Sequence, residues 1–175
     1  MSNITDKKRV CLLDLNYTLV SNQQETKYLR PFTRRMEAEE YRKDLIEAIK
    51  NDYVIIITAR PDHQMSQTIE NIKKKTGWLP DEWYFNDINA EPPVFKESAL
   101  NRFIFPRFKE AGLQDVEFYA VESNPRTRAM YSKYKISAQP YEKFIKPYSQ
   151  STGTVQNEKE PEMQESQLTL YDVGV

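Results

Sequence analysis

The chain has 175 residues, a net charge of -1 and one cysteine. This length is enough for one domain with its own core but leaves no room for a second full domain. The single cysteine excludes a disulfide framework, no apolar stretch approaches the about 20 residues of a membrane-spanning helix, and the N-terminus lacks the apolar segment of a signal peptide. We therefore expect a cytoplasmic protein with no membrane partner.

Charge is distributed unevenly along the chain. Residues 151–175 carry five acidic side chains and one lysine, a net charge of -4, which leaves +3 on residues 1–150. The acidic segment has no hydrophobic periodicity, so we predict that residues 150–175 form a flexible tail, through which a protein partner could bind. The mild positive excess on residues 1–150 suits small anions or a nucleic-acid end better than a long duplex.

Strand-like and helix-like segments alternate along the chain. Short apolar runs are typical of strands buried on both faces, and apolar residues at helical spacing are typical of helices that cover such a sheet. In chain order the sequence predicts a strand over residues 10–13, a helix over 36–50, a strand over 53–57, a helix over 62–75, a strand over 83–85, a helix over 96–111, a strand over 116–121, a helix from residue 124 and a strand over 134–137. The aromatic-rich stretch from residue 140 is expected to pack back on the core.

This alternation predicts an α/β domain over residues 1–149, with a Rossmann-like three-layer α/β/α architecture and a mostly parallel sheet of about five strands. Three polar residues, Asp14, Thr58 and Glu122, each follow an apolar strand directly. In open parallel sheets, ligands bind at the carboxyl ends of the strands. We therefore expect these three side chains to meet in one site.

Four sequence motifs resemble those of the haloacid dehalogenase superfamily. The segment Val-Cys-Leu-Leu-Asp14-Leu-Asn16-Tyr-Thr18-Leu is similar to the apolar strand followed by Asp-x-Asp-Gly-Thr-Leu in that superfamily. Ile-Ile-Ile-Thr58-Ala-Arg resembles the second motif, the lysine of Pro-Pro-Val-Phe-Lys-Glu the third, and Ala-Val-Glu122-Ser-Asn the fourth. Each residue alone has an ordinary structural explanation, but four matches in the expected order favour the superfamily fold.

The resemblance implies magnesium-dependent phosphoryl transfer. Asp14 matches the nucleophile that attacks phosphorus, while Thr58 and Lys96 match the groups that hold the phosphoryl oxygens. Thr18 is expected to take part in substrate binding. Mg²⁺ would take oxygen ligands from Asp14, the backbone carbonyl of Asn16 and Glu122.

Three positions depart from the superfamily pattern. Asn16 stands where a second Asp usually protonates the leaving oxygen, and a carboxamide cannot transfer that proton. Such a loss typically lowers the rate by about 10² to 10⁴-fold, which predicts a slow hydrolase or one restricted to good leaving groups. Tyr17 replaces the usual Gly, and Ser123 replaces a second acidic residue in the fourth motif. A binding protein without turnover is the alternative interpretation.

The sequence gives a weak indication of the substrate. The intervals over residues 19–52 and 59–95, where superfamily members carry cap domains, are short, so we expect a minimal cap or none and an open site. The motif set most resembles the phosphatase domain of polynucleotide kinase-phosphatases and their small relatives in bacteriophages. This resemblance implies a phosphorylated nucleotide or nucleic-acid end, with Arg60 and Arg126 as candidate ligands of a second phosphate or a base. Aromatic and basic residues interleaved over residues 28–35 are compatible with a base platform and equally with ordinary packing on the sheet.

Overall fold

The computed structural model describes residues 4–7 and 9–152 and contains one five-stranded sheet. The strands are β1 (Arg9–Leu13), β2 (Tyr53–Pro61), β3 (Glu82–Asn86), β4 (Glu117–Val121) and β5 (Ser137–Gln139). All neighbouring pairs are parallel, in the order β3-β2-β1-β4-β5. From β1, the chain places β2 and β3 on one side and then β4 and β5 on the other side. This doubly wound parallel sheet confirms the predicted α/β/α class.

The described residues contain nine α-helices, of which seven lie between strands and two follow β5. They are α1 (Gln23–Thr26), α2 (Phe32–Ala38), α3 (Lys43–Ile49), α4 (Met65–Thr76), α5 (Pro92–Ala99), α6 (Phe105–Glu110), α7 (Pro125–Lys133), α8 (Tyr141–Phe144) and α9 (Lys146–Thr152). A π-helical turn, Leu100–Ile104, joins α5 to α6. No helix in residues 4–7 and 9–152 is long and apolar enough to cross a membrane.

The sheet is covered on both faces because successive side chains of a strand point to opposite sides. On β1, Cys11 and Leu13 belong to a core that includes residues of α3 and α4, whereas Val10 and Leu12 belong to a second core with residues of α5 to α7. All four of these β1 side chains are at most 1% exposed. Cys11 is a core residue without a disulfide partner in the described residues.

The predicted helix over residues 36–50 is wrong as a single element. The structure has two helices, α2 and α3, separated by an extended segment in which Tyr41 pairs with Val20 in an antiparallel bridge. The amide of Arg42 donates to the carbonyl of Leu19 at 2.9 Å, and the amide of Ser21 donates to the carbonyl of Glu40 at 2.9 Å. These bonds to the segment after β1 replace helical ones, so the helical spacing of the apolar residues does not produce one helix.

Other boundaries differ by smaller amounts. The fifth strand covers residues 137–139 rather than 134–137, because Tyr134 to Ile136 close the end of α7, where the amide of Ile136 donates to the carbonyl of Tyr131 at 3.1 Å. Gly77 and Gly112 end the predicted helices with φ of 71° and 70°, a conformation that glycine adopts without a steric penalty. The aromatic segment after Pro140 is helical and packs on the core through Phe144.

The division into a domain over residues 1–149 and a tail over 150–175 stays a prediction. Helix α9 extends to Thr152, and residues 153–175 lie outside the described part of the chain. The acidic tail and its expected protein partner therefore remain expectations from the sequence, as does the cytoplasmic location.

The two-sided core gives a direct stability prediction. Leu12→Ala should lower the free energy of unfolding by about 2–5 kcal/mol, because it leaves a cavity beneath α5 to α7. Val94→Ala, at a side chain that is 54% exposed on α5, should change it by less than about 0.5 kcal/mol. Urea denaturation measures both values, and similar losses for the two variants would contradict the burial of Leu12.

Candidate active site

The candidate site lies where the order of the strands reverses, at the carboxyl ends of β1 and β4. Leu13 is in register with Val121 and with Ile56 of β2. The amide of Asp14 donates to the carbonyl of Val121 at 3.0 Å, so the residues following the two strands stay side by side. Asp14 and Glu122 are therefore adjacent, as the parallel arrangement predicted, and are only 6% and 1% exposed.

Lys96 joins these two carboxylates. It lies on α5, is 1% exposed, and its Nζ donates to Asp14 Oδ1 at 2.8 Å and to Glu122 Oε2 at 2.6 Å. Burial alone would lower the pKa of Lys96, but the charges of Asp14 and Glu122 outweigh this effect and raise it. The ammonium group therefore stays charged between the two acids.

The two carboxylates respond differently to this environment. Burial would raise the pKa of Asp14, but the charge of Lys96 and hydrogen bonds from Lys96, Thr18 and Ser123 lower it below its ordinary value. Burial raises the pKa of Glu122 to about 7, and the nearby charge of Asp14 acts in the same direction. Asp14 is thus the ionised carboxylate of the pair at neutral pH, as a nucleophile must be.

Two hydroxyl groups hold the second oxygen of Asp14. Thr18 Oγ1 donates to Asp14 Oδ2 at 2.7 Å, and Ser123 Oγ lies 2.8 Å from the same oxygen. Ser123 Oγ also lies 3.2 Å from the backbone carbonyl of Asn16. The sequence indicated only that Ser123 lacks charge and did not predict its contact with Asp14. Thr18, predicted to bind substrate, orients the Asp14 carboxylate here.

The turn after Asp14 has an unusual backbone at Tyr17. This residue has φ 62° and ψ 0°, a left-handed conformation that is rare for a side chain other than glycine. Strain of this kind costs about 1–3 kcal/mol and is concentrated at functional sites. Tyr17 is 45% exposed, so the side chain that replaces the expected Gly stands at the entrance of the site.

A cavity of about 590 Å³ opens above these residues, a size suited to a small-molecule ligand. Its wall combines the carboxylate pair with residues from the turn after β1 and from the starts of α5 and α7. The lining residues are Asp14, Asn16, Tyr17, Ala59, Pro92, Lys96, Glu122, Ser123, Asn124 and Pro125. Asp14, Asn16, Lys96 and Glu122, all predicted from sequence, are thus brought together in one pocket.

Four predicted residues lie outside this lining: Thr18, described above, and three others. Thr58 is fully buried, and its Oγ1 accepts a hydrogen bond from the backbone amide of Arg60 at 3.1 Å. The guanidinium of Arg60 is buried against Glu39 rather than turned to the cavity. Arg126 is exposed beside the cavity and donates to Glu91 at 2.9 Å.

The residues of the cavity fit a magnesium ion by their chemistry. In residues 4–7 and 9–152 no group of three or more His, Cys, Asp or Glu side chains could hold a metal. Mg²⁺, however, is commonly bound by one or two carboxylates, with water and substrate phosphate completing its octahedron. Asp14, Glu122 and the carbonyl of Asn16 supply oxygen ligands of this type, and they meet through Lys96 and Ser123.

Comparisons with known proteins support the fold. No protein-family model matches the sequence, and no curated protein matches it. A chain of the Pnkp1/Rnl/Hen1 RNA repair complex matches with a TM-score of 0.57 and 14% identity, over 78% of this chain and 43% of that chain. A second Pnkp1/Rnl/Hen1 complex matches with a TM-score of 0.59 and 12% identity, over 78% and 46%.

This chain therefore spans less than half the length of the chains that it matches in the two RNA repair complexes. A structure of phosphoserine phosphatase with a phospho-aspartyl intermediate analogue also matches, with a TM-score of 0.49 and 16% identity over 81% of this chain and 99% of that chain. At these identities the likeness is one of fold. The predicted three-layer α/β/α fold with a mostly parallel sheet of about five strands is confirmed.

The ion cluster predicts a specific stability effect. Lys96→Met should lower the free energy of unfolding by about 3–5 kcal/mol, because it leaves two buried carboxylates without their shared cation. The double variant Asp14→Asn/Lys96→Met should recover part of this loss, since one of the two charges is then removed. Urea denaturation at neutral pH with a chelator measures both, and a double variant less stable than Lys96→Met would contradict the charge argument.

Proposed function

We propose that this protein is a magnesium-dependent phosphohydrolase that acts through an aspartyl-phosphate formed on Asp14. The observation that carries the proposal is the environment of Asp14. Its carboxylate lines an open cavity, its pKa is lowered, and Lys96, Thr18 and Ser123 fix its two oxygens. A fixed, ionised carboxylate can attack the phosphorus of a phosphate monoester, and a buried ammonium group beside it can stabilise the negative charge of the phosphoryl group.

In the proposed reaction, an Asp14 oxygen attacks phosphorus in line with the leaving oxygen. The bond from phosphorus to the leaving oxygen breaks, and that oxygen departs with its electron pair. Lys96 lessens the repulsion between the carboxylate and the incoming anion, and Thr58 and Lys96 are the proposed donors to the phosphoryl oxygens. A magnesium ion bound by Asp14, Glu122 and the Asn16 carbonyl would neutralise charge on the phosphoryl group. Water then cleaves the aspartyl-phosphate and releases phosphate.

We infer that the substrate carries an aromatic base. Tyr17 and Tyr28 are both exposed, and the ammonium of Lys27 lies 6.0 Å from the centre of the Tyr17 ring and 4.9 Å from that of Tyr28. Aromatic and cationic side chains together bind the bases and backbone of single-stranded nucleic acids. We call Tyr17, Lys27 and Tyr28 together the base platform. The base platform adjoins the cavity because Tyr17 lines it. A chain of an RNA repair complex shares the fold. A phosphorylated nucleotide or nucleic-acid end is therefore our preferred substrate class.

Arg126 is the proposed second contact to such a substrate. Its partner Glu91 is as exposed as Arg126 itself, with side chains that are 66% and 67% exposed. An exposed ion pair of this kind contributes about 0–1 kcal/mol, so a phosphate can replace Glu91 at little energetic cost. Arg60, in contrast, is buried and already paired, so we no longer assign it to the substrate.

A role in binding without turnover is the second candidate, and Asn16 is the observation that favours it. The site has no carboxylic acid at the position that usually protonates the leaving oxygen. Measured phosphate release decides between the two functions.

The first functional prediction concerns the nucleophile and position 16. With magnesium, the protein should release phosphate from an aryl phosphate, and Asp14→Asn should abolish release because an amide does not attack phosphorus. Asn16→Asp should raise turnover, by up to about 10²-fold, because a carboxylate can accept the proton of the attacking water. A colorimetric phosphate assay measures both effects.

The matched control for these variants is Asp115→Asn, which removes an exposed carboxylate just before β4, at the opposite edge of the sheet. It should leave phosphate release unchanged. Equal release by Asp14→Asn and Asp115→Asn would exclude the aspartyl-phosphate mechanism, whereas absence of release from the wild type would favour the binding role.

The second functional prediction concerns the base platform. Tyr28→Ala should raise the KM for a phosphorylated nucleotide or short oligonucleotide by about 5- to 100-fold, because stacking on one aromatic side chain contributes about 1–3 kcal/mol. The KM for a small aryl phosphate should rise much less. Tyr28→Phe keeps the ring and should behave like the wild type. An equal change in KM for both substrates would contradict base stacking at Tyr28.

A further inference from the structure

Position 16 contacts a buried ion pair behind the cavity. Asn16 Oδ1 accepts a hydrogen bond from Arg60 Nη2 at 2.8 Å. The same nitrogen lies 3.0 and 3.2 Å from the two carboxylate oxygens of Glu39. Arg60 is 2% exposed and Glu39 is fully buried. The side chain that departs from the superfamily pattern is therefore held by a charged group inside the protein.

This contact decides which way the carboxamide faces. A guanidinium group only donates hydrogen bonds, so the Asn16 atom that faces Arg60 has to be the oxygen. The amide nitrogen at the other end of the carboxamide is then turned away from Arg60. Because Asn16 lines the cavity together with Asp14, its two N–H groups are available to a ligand there.

The guanidinium is itself fixed from several elements. Arg60 lies on β2 where the register against β3 shifts, between Thr58 and Pro61. Arg60 Nη1 donates to Thr68 Oγ1 of α4 at 3.1 Å. A second guanidinium, that of Arg35, lies 3.4 Å from the Glu39 carboxylate but does not contact Asn16. A buried ion pair often contributes little net stability. The contact with Asn16 therefore favours a role of the Arg60–Glu39 pair in the site.

We propose that Glu39 and Arg60 are positioning residues that hold the Asn16 carboxamide with its N–H groups toward the cavity. Asn16 then donates hydrogen bonds to the phosphoryl group or the leaving oxygen but transfers no proton. This inference rests on the phosphohydrolase function proposed above and narrows its substrates. Within the nucleotide class preferred above, the phosphoanhydrides of nucleoside di- and triphosphates, whose leaving oxygen is stable as an anion, are cleaved faster than sugar phosphomonoesters. Aryl phosphates are cleaved fast for the same reason, because their leaving oxygen departs unprotonated.

A double-mutant cycle tests the positioning role. Asn16→Ala should lower kcat for an aryl phosphate by about 10²-fold, the loss typical of one removed hydrogen-bond donor. Arg60→Gln should lower kcat to a similar extent with little change in KM. If Arg60 acts through Asn16, the double variant Asn16→Ala/Arg60→Gln is no slower than the slower single variant. Multiplied losses in the double variant would overturn the proposal.

The matched control is Arg35→Gln, which removes a guanidinium from the same Glu39 carboxylate without touching Asn16. It should keep the kcat of the wild type, and a loss equal to that of Arg60→Gln would overturn the proposal. The double variant Glu39→Gln/Arg60→Gln removes both charges of the pair. It replaces Arg60→Gln in the test if that single variant does not fold. This double variant should show the same loss of kcat as Asn16→Ala.

A spectroscopic measurement separates this proposal from the phosphohydrolase function. The measurement is a ¹H–¹⁵N NMR spectrum of the ¹⁵N-labelled full chain. The side-chain amide signal of Asn16 is assigned as the signal that is absent from the spectrum of Asn16→Ala. Arg60→Gln should shift or broaden this signal, Arg35→Gln should leave it in place, and inorganic phosphate should shift it in the wild type. A signal unaffected by Arg60→Gln refutes the positioning role even if phosphate is released. Absence of phosphate release with the expected spectral changes refutes only the hydrolase function.

Discussion

One buried ammonium group balances the two carboxylates on which the candidate site is built. Lys96 contacts Asp14 and Glu122 at 2.8 and 2.6 Å in a region from which water is nearly excluded. Charges in such surroundings interact strongly. The charge of Lys96 lowers the pKa of Asp14 against the effect of burial, whereas burial and the charge of Asp14 raise the pKa of Glu122 to about 7. The position of Lys96 on α5 therefore contributes to the opposite pKa shifts of the two carboxylates.

The parallel sheet brings these groups together without special loop geometry. Because β1 is central and in register with β4, and both strands end at the same level, the residues that follow them reach the same edge of the sheet. Asp14 and Glu122 meet there directly. Arg60 lies where the register of β2 against β3 shifts, and its side chain is buried against Glu39 instead of lining the cavity.

The sequence predicted the residues at the ends of strands well. It did not predict the residues whose positions depend on contacts between segments that are distant in the chain. Asp14 and Glu122 could be located because an apolar run identifies a buried strand and the next polar residue lies at its end. Glu39 could not, because it sits within residues whose helical spacing hid the break between α2 and α3. That break arises from backbone pairing between Val20 and Tyr41, 21 positions apart in the chain, which no local pattern encodes. The contact of Ser123 with Asp14 likewise exists only once β1 and β4 are neighbours.

The charges around position 16 suggest why an asparagine there is compatible with a phosphate site. Arg35 and Arg60 surround one carboxylate, that of Glu39, so this buried group carries a formal charge of about +1. A carboxylate at position 16 would accept from Arg60, which would lower its pKa and make it a better base than acid. A neutral carboxamide leaves this positive charge uncompensated behind the cavity. In the proposed function, Asn16 therefore favours the binding of an anion in the pocket but does not transfer a proton.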